Sequence, residues 1–172
     1  SYAMLTMQII IYKKRLPKEP KLKCFKWIIT YGGVKVKFRI NKLIIAGFKG
    51  YKEETVINLG DKTVFKGKNG VGKSSVGEAI CWCLTGCDIF GNEKATTKLV
   101  NDSKPKLTEI YIEGTLDDKP ITINRRKKGS SNEIYINDEK SNTADIAKMI
   151  YEEKEIFLSI FNPYYFPNLQ PK

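Results

Sequence analysis

Gly67-Lys68-Asn69-Gly70-Val71-Gly72-Lys73-Ser74 is a complete G-x-x-x-x-G-K-[ST] sequence, and its reading decides the fold. The glycines let the backbone curl so that successive N–H groups point inward at phosphate oxygens, in φ/ψ regions that a side chain penalises. In such a loop Lys73 sets its ammonium against the β- and γ-phosphates, and the Ser74 hydroxyl coordinates Mg²⁺. The next residues should open a helix, whose N-terminus carries about half a positive charge. Both flanks suit this reading. Lys62-Thr63-Val64-Phe65-Lys66 is short, β-branched and aromatic, which predicts a buried strand before the loop. After it, apolar residues at 76, 79, 80, 83 and 84 have helical spacing, and Gly86 supplies a stop.

Composition narrows the setting. A chain of 172 residues suffices for one domain with a sizeable core. No apolar run approaches the ~18 residues that a membrane span needs. The runs Gln8 to Tyr12 and Trp27 to Tyr31 are strand-length, and the first is followed by Lys13-Lys14-Arg15, unlike a secretory signal. A cytoplasmic location and no membrane partner are expected. The formal charge of +11 points to an anionic partner such as DNA, or to lysine-rich solvated faces. Cys81, Cys83 and Cys87 cluster in sequence, but Cys81 and Cys83 lie two apart on the expected helix and face different ways. There is no histidine to complete a mixed metal site, so buried free thiols are the expectation for these and Cys24.

Residues 1–35 differ in texture from residues 36–172, so the first stretch is set apart as an N-terminal extension or linker. Lys13 to Pro20 is charged and proline-interrupted, and the apolar runs on either side either add an edge strand or form a loosely packed extension. From Val36 the pattern is β: Val36, Phe38 and Ile40 alternate, Leu43 to Ile45 continues the run, and Gly47 to Tyr51 makes a turn. Glu54 to Leu59 alternates again, with Gly60-Asp61 as a hairpin turn. Asp88 to Lys106 is polar and loop-like. Leu107–Leu116, Pro120–Arg126 and Glu133–Ile136 then predict an antiparallel meander. Ser141 or Thr143 is expected to cap a helix through Ile146, Met149 and Ile150. The fold class is mixed α/β: a phosphate-loop lobe with an antiparallel β-meander.

These elements in this order resemble the N-terminal lobe of an SMC-like, ABC-class DNA-repair ATPase head of the RecF/RecN/SMC group. Lys42 to Tyr51 looks like the opening strand and "F-K-G-[FY]" turn, Gly67 to Ser75 like the G-x-N-G-x-G-K-S-S loop, and Glu78 to Trp82 like the "E-A-I-x-[WF]" helix. The resemblance spans roughly residues 37 to 172 and implies an ATP and Mg²⁺ site. It places Asn69 beside the γ-phosphate. It wraps Gly67, Gly70, Val71, Gly72, Lys73, Ser74 and Ser75 around the phosphates, with Ser74 on Mg²⁺. Lys49 matches a basic residue that approaches the nucleotide, or is a surface lysine in a turn, while Phe48 and Tyr51 read as packing residues. The family closes this lobe with a glutamine that reaches Mg²⁺ and the attacking water. Here Asn162-Pro163 stands about there and Gln170 follows, so either serves or neither does.

The family's acidic Mg²⁺ strand, which ends in a catalytic glutamate, has no counterpart, because no apolar run after the loop ends in Asp-Glu. In the family that strand follows a long coiled coil. The resemblance therefore implies ATP binding without turnover by these residues alone. It also implies a C-terminal ATPase lobe or coiled-coil partner, a head–head dimer, and DNA as the target of the assembly. Two other readings stand beside it. A small self-contained phosphate-loop NTPase or kinase would follow the loop with parallel βαβ units. A nucleic-acid-binding module would use Arg125-Arg126-Lys127-Lys128 on phosphates, although such a run also suits a solvated hairpin tip.

Overall fold

Strand β2 (Val34–Ala46) organises the sheet. In this computed structural model, which describes residues 27–31, 34–60, 63, 65, 72–151 and 154–161, one edge of β2 pairs antiparallel with β4 (Thr108–Leu116). The other edge is shared end to end. Strand β1 (Trp27–Tyr31) lies against residues 34–38, and β3 (Thr55–Asn58) against residues 42–45. From β4 the sheet runs on as a meander through β5 (Lys119–Lys128), β6 (Ser131–Ile136) and β7 (Glu139–Ser141). The expected meander is therefore present, with β7 as an addition. Trp27–Tyr31 is an edge strand. Gln8 to Tyr12 and Lys13 to Pro20 lie outside the described residues.

Two devices set the register. Ile40 faces Gly114 while Lys42 faces Glu113, so Asn41 is the extra residue of a β-bulge. The bulge moves the inward phase of β2 from even to odd positions: Phe38 and Ile40 are buried before it, Leu43 and Ile45 after it. Opposite the bulge only glycine fits, because a Cβ on Gly114 would stand 2.0 Å from the Arg39 carbonyl oxygen. The second device is hairpin chemistry. Asp117-Asp118 and Asn137-Asp138 all take positive φ, the type I′ pattern whose twist matches the flanking strands. Asp117 also extends the ladder, donating its N–H to the Lys37 carbonyl and accepting the Lys37 N–H on Oδ1, both at 2.8 Å.

One face of the sheet carries Phe38, Leu43, Ile45, Ile110, Ile112, Ile121 and Ile123, all buried. Helix α1 (Lys73–Thr85) lies on that face over β4 and β5, flanked by α2 (Thr143–Ile150) and α3 (Lys154–Phe161). Each large side chain buried there contributes about 1.5–3 kcal/mol. Helix α1 ends at Gly86, in the left-handed conformation with φ 77°, as the sequence suggested. Helix α2 is capped by neither Ser141 nor Thr143. Asn142 between them accepts the Asp145 N–H at 3.1 Å, and Ser141 instead donates to the Asp145 carboxylate. The polar stretch 88–106 contains a short 3₁₀ helix, Lys94–Leu99, that buries Leu99 and Thr96. The expected strand 62–66 falls largely outside the described residues, and Thr63 and Phe65, which are described, belong to no strand.

Alanine at Gly114 is expected to cost about 2–3 kcal/mol, since the Arg39 carbonyl can move away only by opening the bulge. Urea unfolding of the Gly114→Ala chain measures this, and an unchanged midpoint would contradict it.

Candidate functional site

The two ends of α1 are built differently. At the C-terminus the carbonyls of residues 81–85 all have donors, the last of them the Cys87 thiol on Thr85 O at 3.6 Å, as a buried helix end requires. Gly86 N–H donates to Trp82 O at 2.8 Å, Arg125 Nε to Cys83 O at 2.9 Å, and the Tyr151 hydroxyl to Leu84 O at 3.3 Å. Thr85 closes back on Cys81 O at 2.7 Å. Arg125 is 4% exposed, donates from Nη2 to Thr143 Oγ1 at 3.0 Å, and sits 5.8 Å from the centre of the Trp82 ring. Burial lowers its pKa from the usual guanidinium value, yet an arginine stays charged. A cation thus stands at the negative end of the helix dipole.

At the N-terminus the arrangement is the reverse. Gly72 precedes the helix at φ 84°, no side chain caps the first turn, and no acidic residue occupies it. Ser74 is exposed and Ser75 half-buried. The first-turn N–H groups therefore carry the helix's partial positive charge without a protein acceptor among the described side chains. Of the predicted phosphate-loop residues, Gly72, Ser74, Ser75 and the Lys73 backbone are placed here. Gly67, Asn69, Gly70 and Val71 lie outside the described residues, as do Asn162 and Gln170.

The turn between β2 and β3 reaches this helix end. Phe48 is fully buried with its ring 5.9 Å from Trp82, which makes it the packing residue expected. Tyr51 does more. Its ring lies where a Cβ on Gly72 would come within 3.1–3.2 Å, and its hydroxyl donates to the Gly72 carbonyl at 3.3 Å. Burial pushes the Tyr51 pKa up, which keeps that proton in place. Lys49 adopts φ 45°, donates its N–H to Leu99 O at 2.8 Å, and pairs its ammonium with the Glu78 carboxylate on α1. Sequence reasoning set Tyr51 aside as packing and gave Glu78 no role. Glu78 stands four residues after Ser74, the helical spacing that puts two side chains on one face, and that spacing was the available signal.

The basic run at 125–128 is not one surface. Arg125 is buried under α1, whereas Arg126 pairs with Glu109 at 2.7 Å and lies 5.3 Å from the Tyr135 ring centre on the opposite face of β5. Cys81, Cys83 and Cys87 are buried free thiols, and Cys24 lies outside the described residues. No helix among the described residues is long and apolar enough to cross a membrane.

The fold and this helix end define a mixed α/β lobe in which a phosphate-loop sequence opens a buried helix packed on an antiparallel sheet. The model of the RecF/RecN/SMC N terminal domain matches residues 39–158, and the chain belongs to that family. Chromosome segregation protein sudA of Emericella nidulans is 31% identical over 137 residues, covering 73% of this chain. The chain spans only 11% of the length of that relative. Among solved structures, the SMC head domain from Thermotoga maritima is 24% identical over 64% of this chain and 41% of its own, with a TM-score of 0.49.

Burial of the thiols has a consequence for alkaline stability. Cys81 and Cys83 are pushed from the ordinary 9.0 up to about 12, first of all by desolvation. Between those values the unfolded chain releases protons that the folded chain keeps, so stability is full below about pH 9 and falls as pH rises towards 12. Urea midpoints at pH 8, 10 and 11 should decline in the parent chain and decline less in the Cys81→Ala/Cys83→Ala chain. Tyr151, raised to about 12 by burial, leaves a residual slope.

Proposed function

We propose that residues 67–75 bind the phosphates of ATP and that this lobe is the N-terminal half of an SMC-like ATPase head. The observation that carries the reading is the complete G-x-x-x-x-G-K-S sequence ending at the uncapped, acid-free N-terminus of α1, within a chain of the RecF/RecN/SMC family. Gly67, Asn69, Gly70, Val71 and Gly72 direct backbone and side-chain donors at the phosphates. Lys73 neutralises the β- and γ-oxygens, Ser74 supplies a hydroxyl to Mg²⁺, and Ser75 adds a donor at the first turn. Arg125 at the other end of α1 supports the same polarity by stabilising the dipole's negative pole. Asn162 or Gln170 is the candidate for the remaining Mg²⁺ contact.

Phosphoryl transfer needs the metal, the water and the phosphate held together. The chain has no apolar run ending in Asp-Glu after the loop. We therefore assign to these residues the holding of ATP, and assign hydrolysis to their union with a C-terminal lobe and a second head. The assembly would act on DNA in chromosome segregation, maintenance or repair, in the cytoplasm. Residues 1–35 are proposed as an extension of the lobe at 36–172, one that joins the lobe's sheet through the edge strand Trp27–Tyr31. The antiparallel sheet disfavours a self-contained kinase, which would need parallel βαβ units. The separation of Arg125 from Arg126 disfavours a phosphate-gripping stripe at 125–128.

Titration with ATP and Mg²⁺ followed by calorimetry tests the reading. Binding should be saturable and should weaken at least about 100-fold in the Lys73→Ala chain, the loss of a charge-assisted contact to two phosphates. Turnover of ATP by the purified chain above the blank rate would overturn the assignment of hydrolysis to the assembly.

A further inference from the structure

The Lys49 side chain starts from a fixed point. Its backbone is held on both sides, by the N–H donated to Leu99 O at 2.8 Å and by Asn101 Nδ2, which donates to its carbonyl. From there the ammonium goes to Glu78, whose carboxylate side chain is only 16% exposed. Glu78 sits one helical turn behind Ser74 on the same face of α1, and side chains on a helix lean towards its N-terminus. A carboxylate there is within one turn of the place where the motif sets Mg²⁺ and the phosphates. Left unpaired, it would offset the positive end of the helix and repel a polyanion. Among the described residues, Lys49 is its ion-pair partner.

We infer that Lys49 serves the phosphate site as the counter-ion of Glu78 and does not itself contact the nucleotide. The inference rests on the ATP-site reading above and specifies how a residue outside the loop acts on that site. Lys49 is then a positioning residue: it cancels a charge that the helix carries into the neighbourhood of the phosphates. Direct contact with the nucleotide predicts instead that removing Glu78's charge does not rescue binding in a chain that has lost Lys49.

The test is a double-mutant cycle on the full chain, read by ATP and Mg²⁺ titration, with far-UV circular dichroism and thermal melts confirming that each variant is folded. Lys49→Met should weaken binding about fivefold, and Lys49→Arg should bind like the parent chain. Glu78→Gln alone should bind as well as the parent or more tightly. Lys49→Met/Glu78→Gln should return to within about twofold of the parent. A double variant as weak as Lys49→Met overturns the inference in favour of direct contact. Glu78→Gln as weak as Lys49→Met also overturns it, since the pair would then be acting only as a structural clamp. A parent chain that binds no nucleotide overturns the ATP-site reading itself, an outcome distinct from both.

Discussion

The guanidinium of Arg125 beneath the C-terminus of α1 is the interaction on which the rest of the lobe depends. It donates to Cys83 O and Thr143 Oγ1, so one buried side chain ties β5 to the end of α1 and to the start of α2. Its burial is tolerable because carbonyl, hydroxyl and aromatic partners replace water, and because the dipole of α1 favours a cation there. Removing the side chain would leave the Cys83 carbonyl inside the core without this donor, which is costlier than losing a surface ion pair. The helix is thereby held at its far end, and its near end is left to meet other chemistry.

What that near end meets is shaped by the β2–β3 turn. Phe48 enters the core against Trp82, so the turn has little freedom to slide. Tyr51 and Lys49 then touch the helix at two heights, at Gly72 and at Glu78. The turn is itself fastened to the segment after the 3₁₀ helix, where Phe48 bridges Val100 and Asn101 N–H donates to Gly47 O at 2.9 Å. The β2–β3 turn, braced from behind by residues 99–101, therefore meets the first two turns of one helix, and both are positioned by a sheet whose register the Asn41 bulge sets.

Much of this was legible in the residues, for identifiable reasons. Alternation is regular in β4, and in β2 on either side of its bulge, because one face of the sheet is buried and the other is not. Even the burial of Arg125 follows from parity, since 121, 123 and 125 share a face, but a cation in a basic run reads as exposed. The phase change from Phe38 and Ile40 to Leu43 and Ile45 marks the bulge in the same way. Other features had no such signal. Three consecutive polar residues, Ser141, Asn142 and Thr143, all suit a helix start, and only geometry decides which one reaches the Asp145 N–H. Strand β7 is too short for periodicity to register, and the 3₁₀ helix at 94–99 lacks the spacing of an α-helix. Within the candidate site, the glycines and Lys73 announce themselves by motif, whereas Tyr51 and Glu78 matter only through contacts across the fold.

The outer border of the sheet bears on how the lobe can associate. Strand β7 is only three residues long, Glu139-Lys140-Ser141, two of them charged, and the chain turns at once into Asn142 and α2. A foreign strand laid along it would find few backbone groups to pair with and would have to strip water from charged side chains. Over the three residues of β6 that it covers, β7 thus gives little purchase for strand addition, which counts against edge-to-edge stacking there.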